Sequence, residues 1–412
     1  MDEGPSKGLH DVRLMSHDRR LQGRPRLCSD CGLCDSFLRP RMAETCLFVR
    51  NRAEEIEIRL HGRRRRPGDE LPFGIFREMA VMRLRRPVPG AQWTGMVTTL
   101  ATRLLERGEV EAVILTGTNP GTRFEPRPVL ARIPEEVRAC AGNKPSLSPN
   151  LGLLDQVREL GIRRLAVVGT GCQVQILRQA EPELGLERLD LIGLPCSDNV
   201  TYADQQLFLS TISRSPQTVV HYEFMQDFSL WLNHEDGHRE RVDYIDFPMD
   251  RLQGIFPSAC LSCFDYPNTL SDITIGYLGA PLGWQWVLAR TARGQELLDL
   301  LRPELEVQPL SEGGDRTRGM PRFIQMLARR PARPPWLVRR LIAFLQRRRG
   351  PKGLEFARAI IEMKLLRNLT HVREKFPASE ARIVPAHVYE TVAPYAEPYA
   401  EVFGRELKPP AA

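Results

Sequence analysis

From Gly90 onward the apolar residues follow two alternating spacings. Gly95-Met96-Val97-Thr98-Thr99-Leu100-Ala101 through Leu105 is spaced as a helix, and Val110 to Leu115 is a short apolar run that stops at Gly117. Together they predict a helix followed by a buried strand. The pattern repeats with a helix over about 153–160 and a run Leu165-Ala166-Val167-Val168 that ends in Gly169-Thr170-Gly171-Cys172-Gln173. Another helix follows, then a run from Leu189 to Gly193 that closes at Pro195-Cys196. Strand, glycine turn, helix and strand in this order predict an α/β sheet. Between Val219 and His238 the residues alternate singly, with a charged turn at His234-Glu235-Asp236-Gly237, which predicts an antiparallel hairpin and hence an α+β annex. Beyond residue 300 the chain is rich in Pro and Arg and then helical from Trp336 to about Lys375, with a break at Gly350-Pro351-Lys352-Gly353. The first 85 residues show neither spacing. Pro25, Pro40, the Arg63–Arg66 run and Pro67-Gly68 interrupt them, so this segment is expected to wrap around something other than its own core. The expected regions are 1–85, 86–300 and a basic, mainly helical 301–412.

Composition narrows the class. The 412 residues are 42% hydrophobic and 26% charged, enough for a globular protein with one large core or two smaller ones. No apolar run is long enough to span a membrane, and charges rather than an apolar core fill the first thirty residues. The expectation is a cytoplasmic protein without signal or transit peptide. The net charge of +7 is uneven: from Arg316 to Gly353 there are twelve Lys and Arg and no acid. Trp336, Leu337, Leu341, Ile342, Phe344 and Leu345 alternate there with Arg339, Arg340 and Arg347 to Arg349. This stretch reads either as an interfacial helix making peripheral membrane contact or as a core helix with a solvated Arg face. An acidic protein partner suits the charge too; nucleic acid does not, because no reading motif accompanies it.

Nine cysteines without a secretion signal argue against a disulfide framework. Cys28, Cys31, Cys34 and Cys46 read C-x2-C-x2-C-x11-C, a spacing that lets one loop grip three irons of a cubane, and zinc usually takes C-x2-C pairs instead. Cys172 and Cys196 each follow a predicted strand, so adjacent parallel strands would deliver both thiols to the sheet edge where α/β proteins bind ligands. Cys260 and Cys263 add a chelating pair. Two other readings stand beside a second cluster, since Cys172 and Cys196 also suit buried small hydrophobes and Cys260/Cys263 a redox dithiol. Cys140 has no sequence partner and is assigned as structural.

Clusters carry single electrons, whereas reducing an organic substrate usually takes a hydride and a proton; flavin is the common converter. Gly169-Thr170-Gly171-Cys172-Gln173 lacks the third glycine of a dinucleotide fingerprint. Gln92-Trp93-Thr94-Gly95 and Ser148-Pro149-Asn150-Leu151 each precede a helix, where they serve either a phosphate or simple capping.

The segments at 90–114, 127–137, 144–151, 169–178, 221–227, 260–279 and 350–358 together resemble the beta-subunit family of deazaflavin-dependent hydrogenases and dehydrogenases. Within that family they resemble the branch holding ferredoxin-dependent divinyl (proto)chlorophyllide 8-vinyl reductases and 7-hydroxymethyl chlorophyll a reductases. The resemblance spans about residues 26–375. It implies FAD, two 4Fe-4S clusters, reduced ferredoxin as electron source and a tetrapyrrole substrate, with a place near photosynthetic membranes. It also implies that Cys28, Cys31, Cys34 and Cys46 belong to a ferredoxin-like iron–sulfur segment and that Cys172, Cys196, Cys260 and Cys263 hold the second cluster. Trp93, Thr94, Gly95, Thr98, Ser148, Asn150, Gly169 and Gln173 match flavin-pocket positions, and Asp272 and Gly276 match more loosely. The expected reaction reduces a C8-vinyl group to ethyl. The alternatives are 7-hydroxymethyl reduction and an electron-transfer subunit of a larger hydrogenase or dehydrogenase assembly. A proton donor is needed near the flavin: Asp198, His221 and Glu223, with Tyr222 and Asp265, are the candidates, although His221 and Glu223 also suit cross-strand pairing on a hairpin.

Overall fold

The computed structural model describes residues 27–252, 254–312, 316–329, 333–349 and 353–410. The expected lack of a leader and the Gly350-Pro351-Lys352 break fall outside these residues. Eleven strands are present: β1 (Glu78–Leu84), β2 (Ala112–Thr118), β3 (Pro126–Ala131), β4 (Arg164–Thr170), β5 (Arg188–Leu194), β6 (Val219–Phe224), β7 (Ser229–His234), β8 (Arg239–Asp243), β9 (Ile273–Gly276), β10 (Gln285–Ala289) and β11 (Leu305–Gln308). Eight of them form a mixed sheet in the order β11-β1-β10-β9-β5-β4-β2-β3, and β6-β7-β8 form a separate antiparallel sheet.

The centre of the large sheet is parallel, with β4 between β2 and β5 and β5 paired with β9. Its strands read as unbroken apolar runs because helices cover both faces. The Met96–Glu106 and Ala292–Leu301 helices pack on one side, through Leu100, Leu104, Leu297 and Leu298 against Val113, Ala166 and Ile192. The Gly171–Leu184 helix packs on the other, through Val174 and Leu177 against Val167 and Leu191. The expected α/β core is therefore present, but it reaches past both expected boundaries: β1 ends at residue 84 and β11 begins at residue 305. The annex is larger than the expected hairpin. The charged turn at 234–237 joins β7 to a third strand, β8.

Between residues 27 and 77 the chain forms short helices and 3-10 turns and no strand. It is tied to the sheet by Arg290, a fully buried guanidinium that donates to the carbonyls of Phe73 (2.8 Å), Ile75 (3.2 Å) and Pro267 (2.9 Å). Burial pulls its pKa down to about 10; four hydrogen bonds, including one to Thr274 Oγ1, offset that cost. The C-terminal region forms the Arg316–Ala328, Trp336–Arg349 and Gly353–Lys375 helices followed by shorter ones. The long Gly353–Lys375 helix buries Leu354, Ile361, Leu365 and Leu369 against Phe264 and Trp286. No helix among the described residues is long and apolar enough to cross a membrane.

Candidate functional site

None of the nine cysteines forms a disulfide. The loop carrying Cys28, Cys31 and Cys34 docks on the turn that precedes the Leu154–Glu159 helix. Leu151 N–H donates to the Cys31 carbonyl at 2.9 Å, and Phe37 N–H to Asp155 Oδ1 at 2.6 Å. Gly32 makes the approach possible: its φ is +93°, and a Cβ there would stand 2.4 Å from Gly152 N and from Pro149 O, so only glycine fits. Cys31 interacts electrostatically with Cys28 and Cys46, and Cys46 with Cys28 and Cys34. Burial is the main cause that pushes the Cys31 and Cys46 thiols up, and their neighbours add to it.

The second group assembles at the C-terminal edge of the parallel strands. Thr170 ends β4 and caps the Gly171–Leu184 helix in a reciprocal capping box with Gln173, which fixes Cys172 in the first turn. Cys196 lies two residues beyond β5, in register with β4, as the sequence pattern anticipated. Cys260 opens a 3-10 turn and Cys263 follows it; two residues on, Asp265 lies against the start of the Gly171–Leu184 helix, where a Cβ on Gly171 would stand 2.7 Å from Asp265 Oδ2. Cys196 interacts with Cys260, Cys172 and Cys263. Burial drives the Cys172 and Cys196 thiols up, and those of Cys260 and Cys263 up to about 12. The two groups adjoin at Cys172, which interacts with Cys31 and accepts hydrogen bonds from Ser29 and from Thr170 Oγ1 (3.3 Å).

The Gly353–Lys375 helix braces the second group. Asn368 Nδ2 donates to the carbonyls of Cys260 (3.1 Å) and Cys263 (2.6 Å). Lys364 donates to Ser197 O and lies 3.3 Å from Asp198 Oδ1, while Arg367 contacts both Asp198 oxygens at 2.9 and 2.7 Å. Lys364 also favours the thiolate forms of Cys196, Cys260 and Cys263. Thiols this close oppose one another's ionisation, so holding all as thiolates requires a cationic centre among them. Among the described residues no three Cys, His, Asp or Glu side chains converge on one metal-ion position.

The expected flavin positions fall into two sets. Ser148, Asn150 and Gln173 form one network beside Cys172, and Gly169 lies against the Gln173 side chain. Ser148 Oγ bonds Asn150 Oδ1 (2.8 Å), Asn150 Nδ2 bonds Thr116 Oγ1 (3.0 Å), and Gln173 Nε2 donates to Ser148 O (2.9 Å). Trp93 and Thr94 instead line a cleft of about 990 Å³ between the large sheet and the annex, at the upper end of the range for small-molecule and cofactor sites. Gly95, φ +88°, starts the helix that carries the half-buried Thr98. Thr94 Oγ1 is engaged with Gln285 Oε1 (2.8 Å) and Leu84 N (3.2 Å), and so shapes the wall. Asp272 is structural: it accepts from Arg178 (2.7 Å) and from Leu191 N (2.8 Å). Gly276 lies in β9 against Pro195.

His221 and Glu223 line the same cleft, with Trp231 and Asn233. They stand two apart on β6, with Nε2 3.4 Å from Oε1, and each pairs across the hairpin, His221 with Asn233 and Glu223 with Trp231. Glu223 Oε1, Trp93 Nε1 and Trp231 Nε1 are all buried without a hydrogen-bond partner, an arrangement native proteins rarely leave unanswered by a ligand or water. Asp198 is not among the cleft residues, because Lys364 and Arg367 hold it beneath the cysteine group. Tyr222 is turned into the annex core, accepting from Gln205 (2.7 Å). Asp265 accepts from Thr269 N (2.8 Å) behind Gly171. Tyr277 had no sequence signal: its ring lies 5.0 Å from Trp93, and it interacts with both Glu223 and Cys196.

Models of the coenzyme F420 hydrogenase/dehydrogenase beta subunit match the chain twice, the N-terminal model over residues 79–155 and the C-terminal model over 162–313. The chain belongs to this family. The two models cover the second cysteine group and the cleft, and leave the Cys28–Cys46 loop outside. The protein all1601 of Nostoc sp. (strain PCC 7120) is 43% identical over 90% of this chain and 94% of its own length. The chloroplastic 7-hydroxymethyl chlorophyll a reductase of Oryza sativa subsp. japonica is 40% identical over 89% of this chain and 82% of its own. A chain of the F420-reducing [NiFe] hydrogenase complex from Methanosarcina barkeri shares the fold, with a TM-score of 0.59 over 76% of this chain and 96% of that chain at 22% identity.

Proposed function

We propose that the protein is an iron–sulfur flavoprotein reductase that converts the C8-vinyl group of a divinyl (proto)chlorophyllide to ethyl with electrons from reduced ferredoxin. The observation that carries the reductase reading is the Gly276-Tyr277 segment: Gly276 lies against Pro195, the neighbour of Cys196, and the Tyr277 ring lies 5.0 Å from Trp93 in the cleft wall. It puts a thiol group suited to electron carriage next to a pocket suited to an organic ligand. Cys28, Cys31, Cys34 and Cys46 would hold one cluster, the close spacing of the first three suiting a cubane, and Cys172, Cys196, Cys260 and Cys263 would hold the other. FAD would be held by Trp93, Thr94, Gly95 and Thr98 and by Ser148, Asn150, Gly169 and Gln173, the unpartnered Trp93 Nε1 being a donor for it. Bound there, clusters and flavin supply the exchange between one-electron carriers and a two-electron reduction.

The chain's own residues supply the rest. Trp93 and Trp231 wall the cleft with apolar rings whose N–H groups are available to a ligand. His221 and Glu223 hold a proton at Glu223 Oε1 or His221 Nε2 on the cleft side. Reducing vinyl to ethyl takes two electrons and two protons, so a carboxyl–imidazole pair at the wall is the chemistry required.

A second reading, reduction of a 7-hydroxymethyl group to methyl with release of water, is favoured by the rice relative at 40% identity. It takes the same two electrons and two protons. Anaerobic turnover of the cluster-reconstituted protein on divinyl chlorophyllide and on 7-hydroxymethyl chlorophyll a, with reduced ferredoxin, separates the two. Ethyl product alone supports the first reading and methyl product the second. No turnover on either, with activity only when a partner subunit is added, makes the chain an electron-transfer subunit instead.

A further inference from the structure

The Trp336–Arg349 helix carries an apolar face that the rest of the molecule does not cover. Trp336, Leu337, Val338, Leu341, Phe344 and Leu345 are exposed, Leu337 to 70%. At 100° per residue the last five fall within an arc of about 120°. Ala343, 2% exposed, lies opposite and faces the body. The helix is held by ion pairs rather than by a core: Arg339 contacts Asp246 at 2.6 Å and Arg347 contacts Asp243 at 3.7 Å, both acids lying at the end of the annex sheet. An exposed apolar stripe on one helix, in a chain that buries its other large apolar runs, marks an interaction surface.

Charge selects the occupant. The fourteen residues Trp336–Arg349 contain five Arg and no acid. Arg340, whose guanidinium lies 5.1 Å from the Trp336 ring centroid, borders the stripe, and Arg348 closes its C-terminal end. A second copy brought face to face would oppose Arg with Arg and offer nothing to neutralise them. The helix is about 21 Å long at 1.5 Å per residue, short of the roughly 30 Å hydrocarbon thickness. Leu and Phe along one face, Trp at the end and Arg at the margins are what a helix lying in the headgroup layer requires, its Arg stems reaching past the apolar edge to anionic phosphates.

We propose that this helix is a membrane-surface anchor that lies in the headgroup layer of an anionic lipid bilayer. Docked there, it would hold the annex sheet, and with it the His221–Glu223 wall of the cleft, next to the lipid surface. The proposal does not depend on which substrate the cleft takes.

The test is flotation of the purified full-length protein with phosphatidylglycerol/phosphatidylcholine vesicles and with phosphatidylcholine vesicles alone. Wild type is expected to float with the anionic vesicles at low salt and to stay down with the zwitterionic ones. A Leu341→Asp/Phe344→Asp variant should lose flotation at least tenfold, and removing Arg340 or Arg348 should weaken binding by roughly fivefold each at low salt. All these side chains are exposed, and unchanged circular dichroism and melting would show the variants fold. Wild type that stays down at low salt, or a double variant that floats as well as wild type, overturns the proposal. So does a wild type that self-associates through the stripe, or binds a soluble acidic protein through it, without floating.

Discussion

Asn368 holds Cys263 through a single side-chain amide that donates to the Cys263 carbonyl at 2.6 Å and to the Cys260 carbonyl at 3.1 Å. Both carbonyls belong to the turn that presents the chelating pair, so the spacing of the two thiols depends on a residue 105 positions after Cys263. Asn368→Ala leaves both carbonyls without this donor, at a cost of about 1–3 kcal/mol for each buried group. The reconstituted variant should bind about half the iron of wild type while keeping the iron held through Cys28–Cys46. Colorimetric iron and acid-labile sulfide assays check this; full iron content would assign Asn368 to packing alone.

Lys364 places a positive charge beside Cys196, Cys260 and Cys263. A positive charge near a thiolate-held centre favours its reduced form, so Lys364→Met should move the midpoint of the cluster proposed for the second cysteine group to a more negative potential. Arg367 still neutralises Asp198 in that variant, which limits structural damage. An EPR-monitored redox titration reads the shift, and an unchanged midpoint would confine Lys364 to supporting Asp198.

At the cleft, Glu223→Gln keeps the shape of the wall and removes an acid. Turnover should fall by about a hundredfold with pigment binding intact, the range expected when a positioned proton donor is lost. Loss of binding instead of turnover, measured by pigment fluorescence quenching, would make Glu223 a docking residue.

The segment before β1 carries an acid-sensitive clamp. Arg63 meets Glu70 in a bidentate pair at 2.6 and 2.7 Å, and Arg66 N–H adds a third bond at 2.7 Å. The Arg63 hydrogen bond is the main reason the Glu70 carboxyl titrates below its ordinary 4.5. A depressed carboxyl stabilises the fold above its unfolded pKa and loses that contribution as the pH falls through the folded one. Glu70→Gln should therefore cost about 1 kcal/mol at neutral pH, given the partial exposure of the pair. The difference should disappear in acid, well below pH 4.5, in urea titrations of wild type and variant at several pH values.

What the sequence made legible follows from range. The positions of Cys172 and Cys196 at one sheet edge were legible because each sits two residues after a strand that an apolar run predicts, and two parallel strands in register carry such residues to the same edge. The β8 strand, Arg239-Glu240-Arg241-Val242-Asp243, gave no signal because its exposed faces carry charge instead of alternating apolar residues. The strand β11 is four residues long, too short to show a period. Tyr277, Lys364, Arg367 and Asn368 were illegible for another reason: their partners lie on distant segments, and no local spacing encodes such contacts. Asp198 looked like a free acid because the two cations that engage it are 166 and 169 residues away.

The bracing of the cysteine turn by the Gly353–Lys375 helix also sets an order in time. When Cys263 leaves the ribosome, about a hundred residues remain to be made before the helix is complete, roughly 5–20 s of synthesis at 5–20 residues per second. Through that interval the thiols of the second group are present without the helix that braces them, so the turn that carries Cys260 and Cys263 gains its Asn368 support only after nearly the whole chain has emerged.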